Sequence, residues 1–144
     1  MIQRMKELIL QKDTCVLATV SEGKPHCSLM SYIVDPECRE LYMVTPRHTK
    51  KYQNLLANPW VSLLIDTRED TLHSELKQKK ALTISGLFQR LGAGRMKALR
   101  AKFIEKHPQL QDLVQDPAAE IFSVRFRSFQ LLEGFQDAYF AQVE

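Results

Sequence analysis

The stretch from Thr45 to Asp66 constrains the fold more tightly than any other part of the chain. Thr45-Pro46-Arg47-His48-Thr49-Lys50-Lys51 reads as a helix start, Asn58-Pro59 ends that helix, and Trp60-Val61-Ser62-Leu63-Leu64-Ile65-Asp66 is a strongly apolar strand. A helix this short must join two strands rather than stand by itself. Thr45 or Thr49 is the expected cap, and Pro46 suits a first helical position. The charges run against the helix dipole. Acidic residues are favoured in a first turn, yet Arg47, Lys50 and Lys51 crowd this one and His48 stands beside them. An external anion resolves such a conflict, and a phosphate can take both the free backbone amides and the ammonium charges. The competing reading is a solvated basic turn, which surface helices often carry.

Around this stretch the periodicities alternate between two and 3.6. Ile2, Met5, Leu8 and Ile9 predict an amphipathic helix over 2–12, and residues 14–20 a buried strand. Ser21-Glu22-Gly23-Lys24 suits a tight hairpin, after which residues 25–34 return as a second strand. Asp35 to Arg39 forms a turn, and Glu40 to Thr45 a third strand that feeds the basic helix start. The fourth strand is 60–66, followed by a loop or hairpin arm over 67–78 and a long fifth strand over 79–91, where Gly86 marks a bulge or a close backbone approach. Met96, Leu99, Phe103 and Ile104 predict a second helix that runs to His107-Pro108. Leu110, Leu113 and Val114 then predict a short turn. In the last strand, 120–132, Phe122, Val124 and Phe126 face one way and Ser123, Arg125 and Arg127 the other. Glu133-Gly134-Phe135 closes it and leaves a tail carrying Tyr139 and Phe140. These six strands in short sequential connections predict a mainly β fold, an antiparallel barrel or strongly curved sheet with helices at its margins.

Composition narrows the function classes. A chain of 144 residues suits one domain over 1–144, and no apolar run approaches the ~20 residues of a membrane span. The first ten residues read as amphipathic helix rather than as an export signal. Cys15, Cys27 and Cys38 are odd in number and widely spaced, which argues against a disulfide framework and for a reducing cytoplasm. His26, His48, His73 and His107 are scattered without ligand spacing, so no metal is expected. A net charge of +3 does not argue for nucleic acid, whose binding shows as a concentrated basic face, and no nucleic-acid or membrane partner is expected.

The residues resemble the pyridoxamine 5′-phosphate oxidase-like family of FMN-binding split barrels. The likeness lies in Leu17-Ala18-Thr19-Val20, Gly23-Lys24-Pro25-His26-Cys27-Ser28 and Leu41-Tyr42-Met43-Val44-Thr45. Its strongest part is Thr49-Lys50-Lys51-x-x-Asn54-Leu55-x-x-Asn58-Pro59-x-Val61-Ser62-Leu63, and it continues in Ala81-Leu82-Thr83-Ile84-Ser85-Gly86. The resemblance implies a six-stranded antiparallel split β-barrel that forms a homodimer with FMN in the clefts between subunits. Carried onto this chain, it sets Cys27, Ser28, Leu29 and Met30, on a strand reaching Tyr32, beside the isoalloxazine. Val44 and Thr45 meet the ribityl-phosphate side, and Thr49, Lys50 and Lys51 lie at the phosphate.

It implies an FMN-dependent oxidoreductase acting on a small substrate, or alternatively a flavin- or haem-binding protein without turnover. Reactive atoms would belong to the flavin, with His26, Ser28 and Tyr32 the polar groups expected to point into the cleft. Cys27 is expected to be a small buried filler, and Trp60 and Tyr42 core or dimer-interface residues. Some family members place an arginine at the start of the second strand, where this chain has His26-Cys27, and either Arg47 or an arginine of the partner chain is the expected substitute. The ending Gly134-Phe135-x-x-Ala138 is more like members grouped with haem-utilisation proteins than like the vitamin oxidase. With one cation cluster assigned to FMN and Arg125 and Arg127 read as solvated, pyridoxamine 5′-phosphate oxidase activity itself is not expected.

Overall fold

The computed structural model describes residues 1–73, 79–134 and 137–143. Among these, helices α1 (Ile2–Gln11), α2 (Lys50–Ala57), α3 (Ala93–Lys106) and α4 (Gln111–Gln115) flank the strands β1 (Thr14–Ser21), β2 (Lys24–Ser31), β3 (Ile33–Val34), β4 (Glu40–Pro46), β5 (Trp60–Asp66), β6 (Lys80–Arg90), β7 (Ala119–Glu133) and β8 (Asp137–Gln142). The strands form one antiparallel sheet in the order β2-β1-β5-β6-β7-β4-β3, with β8 also on β7. All six expected strands are present. The segment expected as one strand over 25–34 is instead cut into β2 and β3, and the tail adds β8.

The cut at Tyr32 makes the barrel split. β2 and β3 are consecutive in the chain yet lie at opposite ends of the strand order, so the sheet curls into a half-barrel closed by the covalent link at Tyr32. Three bonds hold that link. The Tyr32 amide donates to the Asp13 carbonyl at 2.9 Å, its hydroxyl donates to the Ile9 carbonyl at 2.6 Å, and His107 Nε2 meets its carbonyl at 2.9 Å. A residue spending all its polar groups off the sheet cannot continue a ladder.

Inward-facing apolar residues alternate along each central strand, and α1 closes the barrel with Met5, Leu8 and Ile9. Phe122 and Phe129 of β7 are fully buried in this core, each contributing roughly 1.5–3 kcal/mol of transfer free energy. A second cluster covers the outer face: Tyr42 and Val44 of β4 and Ile121 of β7 pack under Leu99, Phe103 and Val114. β4 is therefore buried on both faces. This explains why Ser123, expected on an outer face with the arginines, is fully buried.

Local chemistry sets the corners. Glu22 and Gly23, at φ 53° and 72°, form the two-residue hairpin turn expected between β1 and β2. Gly86 lies at a register shift between β6 and β7, and a Cβ there would sit 2.6 Å from Val124 Cγ1 and 2.8 Å from the Arg125 carbonyl oxygen. The expected bulge and the expected close approach are the same feature. The segment expected as a loop or hairpin arm over 67–78 contains a 3-10 helix at Arg68–His73, and residues 74–78 lie outside the described residues. So does Phe135 of the expected Gly-Phe ending. The tail beyond it forms strand β8, with Tyr139 packed on the core and Phe140 exposed. No helix of the described residues is long and apolar enough to cross a membrane.

Candidate functional site

β4 delivers the chain to the start of α2 through Pro46-Arg47-His48-Thr49. Pro46 closes β4, paired with Ala119, so it is not the first helical residue that the sequence suggested; the helix begins at Lys50. Of the two expected caps, Thr49 is the one used. Its hydroxyl oxygen accepts from the Tyr52 amide at 3.3 Å and its hydroxyl donates to the Pro46 carbonyl at 3.0 Å. Thr45, fully buried, lies 3.1 Å from Thr49 between the hydroxyl oxygens. The first intrahelical bond runs from Gln53 to Thr49, which leaves the Lys50 and Lys51 amides ahead of it. No acid occupies this first turn, and among the described residues Lys50, Lys51 and His48 form no ion pair.

The helix is pinned from below at two points. Asn54, buried, donates from Nδ2 to Thr19 Oγ1 of β1 at 3.2 Å, and Thr19 is the cross-strand partner of His26 on β2. Tyr52, also buried, donates its hydroxyl to Glu120 at the start of β7. Burial first, and then this hydrogen bond, push the Tyr52 phenol up to about 12. Glu120 also takes Arg90 Nη2 at 3.0 Å and Arg47 Nη1 at 3.8 Å. Arg47 Nη2 donates to the Pro117 carbonyl at 2.9 Å, so the cation suggested as a substitute phosphate ligand is already held by β7 and the turn before it.

β2 supplies the other half of the expected site. It ends the strand order, so one side of its backbone is paired to β1 and the other is not paired to any described strand. His26, Ser28 and Met30 share the inward face with Thr19, Leu17 and Cys15, whereas Cys27 and Leu29 lie outward beside Ala18 and Val16. Leu29 is 77% exposed and Met30 is buried in the core. Cys27 is exposed, not the buried filler expected, because it lies on the uncovered face of an edge strand. Tyr32 does not point into a cleft either: its hydroxyl is consumed by Ile9 in the interior. The fold thus joins Thr45, Thr49, Lys50 and Lys51 in one turn and connects them to β2 through Asn54 and Thr19. Val44, Thr45 and Met30 are buried by side-chain packing.

Sequence reading missed Glu120, the acid on which Tyr52, Arg47 and Arg90 converge from three separate segments. Its only trace in the sequence is an acid at the head of the last strand, just before Ile121 and Phe122. Arg125 is exposed, as expected, but also pairs at 3.8 Å with buried Glu40, which accepts from Tyr42 at 2.7 Å and Arg95 at 2.8 Å.

Comparison with known proteins gives the same fold. A heme binding protein from Mycobacterium smegmatis superposes with a TM-score of 0.81 at 16% identity, over 95% of this chain and 55% of that one, so the chain spans about half of that relative. HutZ, the heme storage protein from Vibrio cholerae, superposes at 0.69 with 20% identity, over 95% and 92%. An FAD-binding protein from Mesorhizobium loti superposes at 0.73 with 18% identity, over 91% and 93%. Among curated proteins none matches the chain. The family model for pyridoxamine 5′-phosphate oxidase matches residues 1–133, and the chain belongs to that family.

Proposed function

We propose that this protein is a flavoprotein that binds FMN between the subunits of a homodimer and acts as an oxidoreductase on a small substrate. The observation that carries the reading is the start of α2, where Lys50 and Lys51 stand without counter-charges among the described residues and no acid occupies the first turn. The residues fit the group: two ammonium ions and two amides for one phosphate, and a free strand edge with an apolar outer face for a planar ring. When bound, FMN supplies the hydride or electron chemistry. Lys50, Lys51 and Thr49 would anchor the phosphate, while the β2 backbone from Cys27 to Met30 would orient the ring. Single-phosphate recognition favours FMN over FAD, since no Gly-rich dinucleotide loop is present. Three free thiols suit a reducing compartment such as the cytoplasm.

Titration of the Lys50→Ala/Lys51→Ala variant with FMN and with riboflavin tests this. A charge-assisted phosphate contact is worth about 1.5–3 kcal/mol, so FMN affinity falls at least about tenfold while riboflavin affinity, lacking the phosphate, holds. Equal losses for both ligands would assign the lysines to folding instead. Pyridoxamine 5′-phosphate is not the expected substrate. Arg125, one of the two β7 arginines able to hold the phosphate of a doubly charged substrate, is engaged by Glu40, and negligible aldehyde formation by flavin-loaded protein checks this. The second reading is haem, favoured by the two haem-associated neighbours. Mass spectrometry of the ligand released on denaturation decides between them.

A further inference from the structure

The chain's positive charge is concentrated on one helix that has no part in the site described above. α3 carries five Lys or Arg against one Glu, whereas the rest of the chain holds fifteen against sixteen, so the +3 of the whole molecule comes entirely from α3. Leu99 and Phe103 are buried against the sheet. The opposite, exposed face is made of Gly94, Ala98 and Ala101, with Glu105 at its end. Lys97 and Arg100 line one flank of that small-residue face and Lys102 and Lys106 the other. All four are exposed, and none has an ion-pair partner among the described residues; Arg95, by contrast, is committed to Glu40.

We propose that α3 is a docking surface for the acidic face of another protein, engaged transiently. Four exposed cations on a rigid helix steer an anionic surface by long-range attraction. The short side chains between the flanks let such a surface approach the helix backbone. Nucleic acid fits less well. Four phosphate contacts, each contributing a salt slope of about −0.9, leave a Kd on the order of 1 mM near 0.15 M salt, weaker than ordinary non-specific binding. A protein surface adds van der Waals contact with Gly94, Ala98 and Ala101 that a phosphate backbone does not. The position is also apt. α3 is capped by His107, whose ring is bonded to the Tyr32 carbonyl at the junction of β2 and β3, so the helix that would take the partner is tied to the end of the strand proposed to hold the ligand. The proposal does not depend on whether the bound group is flavin or haem.

The test uses the full-length protein and two fluorescein-labelled probes, a 20-residue peptide of alternating Glu and Ala and a 20-base-pair DNA duplex, read by anisotropy. The peptide is expected to bind at 20 mM salt and to weaken at least tenfold by 150 mM. K102E/K106E and, independently, K97E/R100E are expected to weaken it at least tenfold. K79E/R127E, with the same change in net charge at exposed sites elsewhere, is expected to change it less than twofold. Circular dichroism of each variant verifies the fold, and two separate pairs keep the test open if one fails to fold. No peptide binding at 20 mM salt, equal losses in the control, or tighter binding of the duplex than of the peptide at 150 mM would each overturn the proposal.

Discussion

At the scale of single residues, two carboxylates decide how the cations are used. Glu120 and Glu40 each stand beside a tyrosine and two arginines, and they remove Arg47, Arg90, Arg95 and Arg125 from the pool able to meet a ligand. What remains at the start of α2 is Lys50, Lys51 and His48. The same networks predict the alkaline behaviour. Tyr42 and Tyr52 are pushed from 10.0 up to about 12 by burial first and then by hydrogen bonding to Glu40 and Glu120. A phenol whose folded pKa exceeds its unfolded value contributes stability that is present below pH 10 and lost as pH rises towards about 12, because the unfolded chain ionises first. Buried Cys15, raised from 9.0 to about 12, acts with the same sign. Urea midpoints are therefore expected to fall steadily from about pH 9 to 11.5, with Tyr52→Phe flattening the decline without abolishing it. An identical slope in the variant would show that Tyr52 ionises alike in both states.

Between elements, the decisive contact is β6 against β7. β7 is long enough to pair with β4 at its start and β8 at its end, and the register shift at Gly86 lets it serve both while keeping Phe122 and Val124 before the shift and Phe129 and Leu131 after it inside the barrel. The facing backbone cannot yield: a Cβ at Gly86 would press on the Arg125 carbonyl at 2.8 Å as well as on Val124. Gly86→Ala is expected to lower the unfolding free energy by at least about 2 kcal/mol with an unchanged denaturant slope, measured by urea unfolding. A loss within about 0.5 kcal/mol would mean that the strands slide apart freely there. The bulge was legible in the sequence because a lone glycine interrupts an apolar strand pattern. The break at Tyr32 was not, because its anchors, Asp13, Ile9 and His107, come from distant segments.

At the scale of the molecule, one row of outward-facing residues crosses the sheet: Leu29, Val16, Leu64, Thr83, Gln130 and Phe140 are cross-strand neighbours in turn. Its two ends are apolar and exposed, Leu29 by 77% and Phe140 by 65%, and Trp60 on the same face is 54% exposed. Such a face beside an unpaired strand edge is the surface on which the proposed homodimer would form. Leu29→Glu sets a carboxylate in that interface without disturbing the core. It is expected to give a folded monomer by light scattering and to weaken flavin binding at least about tenfold, since the site between subunits is lost. A variant that stays dimeric would move the interface elsewhere.

Alternation, turn residues and helical spacing are local properties, and by themselves they determined the six strands, the β1–β2 hairpin, the helix opened by Thr49, Lys50 and Lys51, and the glycine at the bulge. The family likeness rests on the same short-range patterns. Which strands end the sheet, which cations are neutralised and which residues face outward depend on contacts between positions far apart in the chain. Only the tertiary structure decided that Cys27 is exposed on an edge strand, that Tyr32 is a structural anchor, and that Arg47 belongs to Glu120. The physical reason is that burial and charge pairing are properties of the assembled surface, and a pattern read along the chain carries only what neighbouring residues impose on one another.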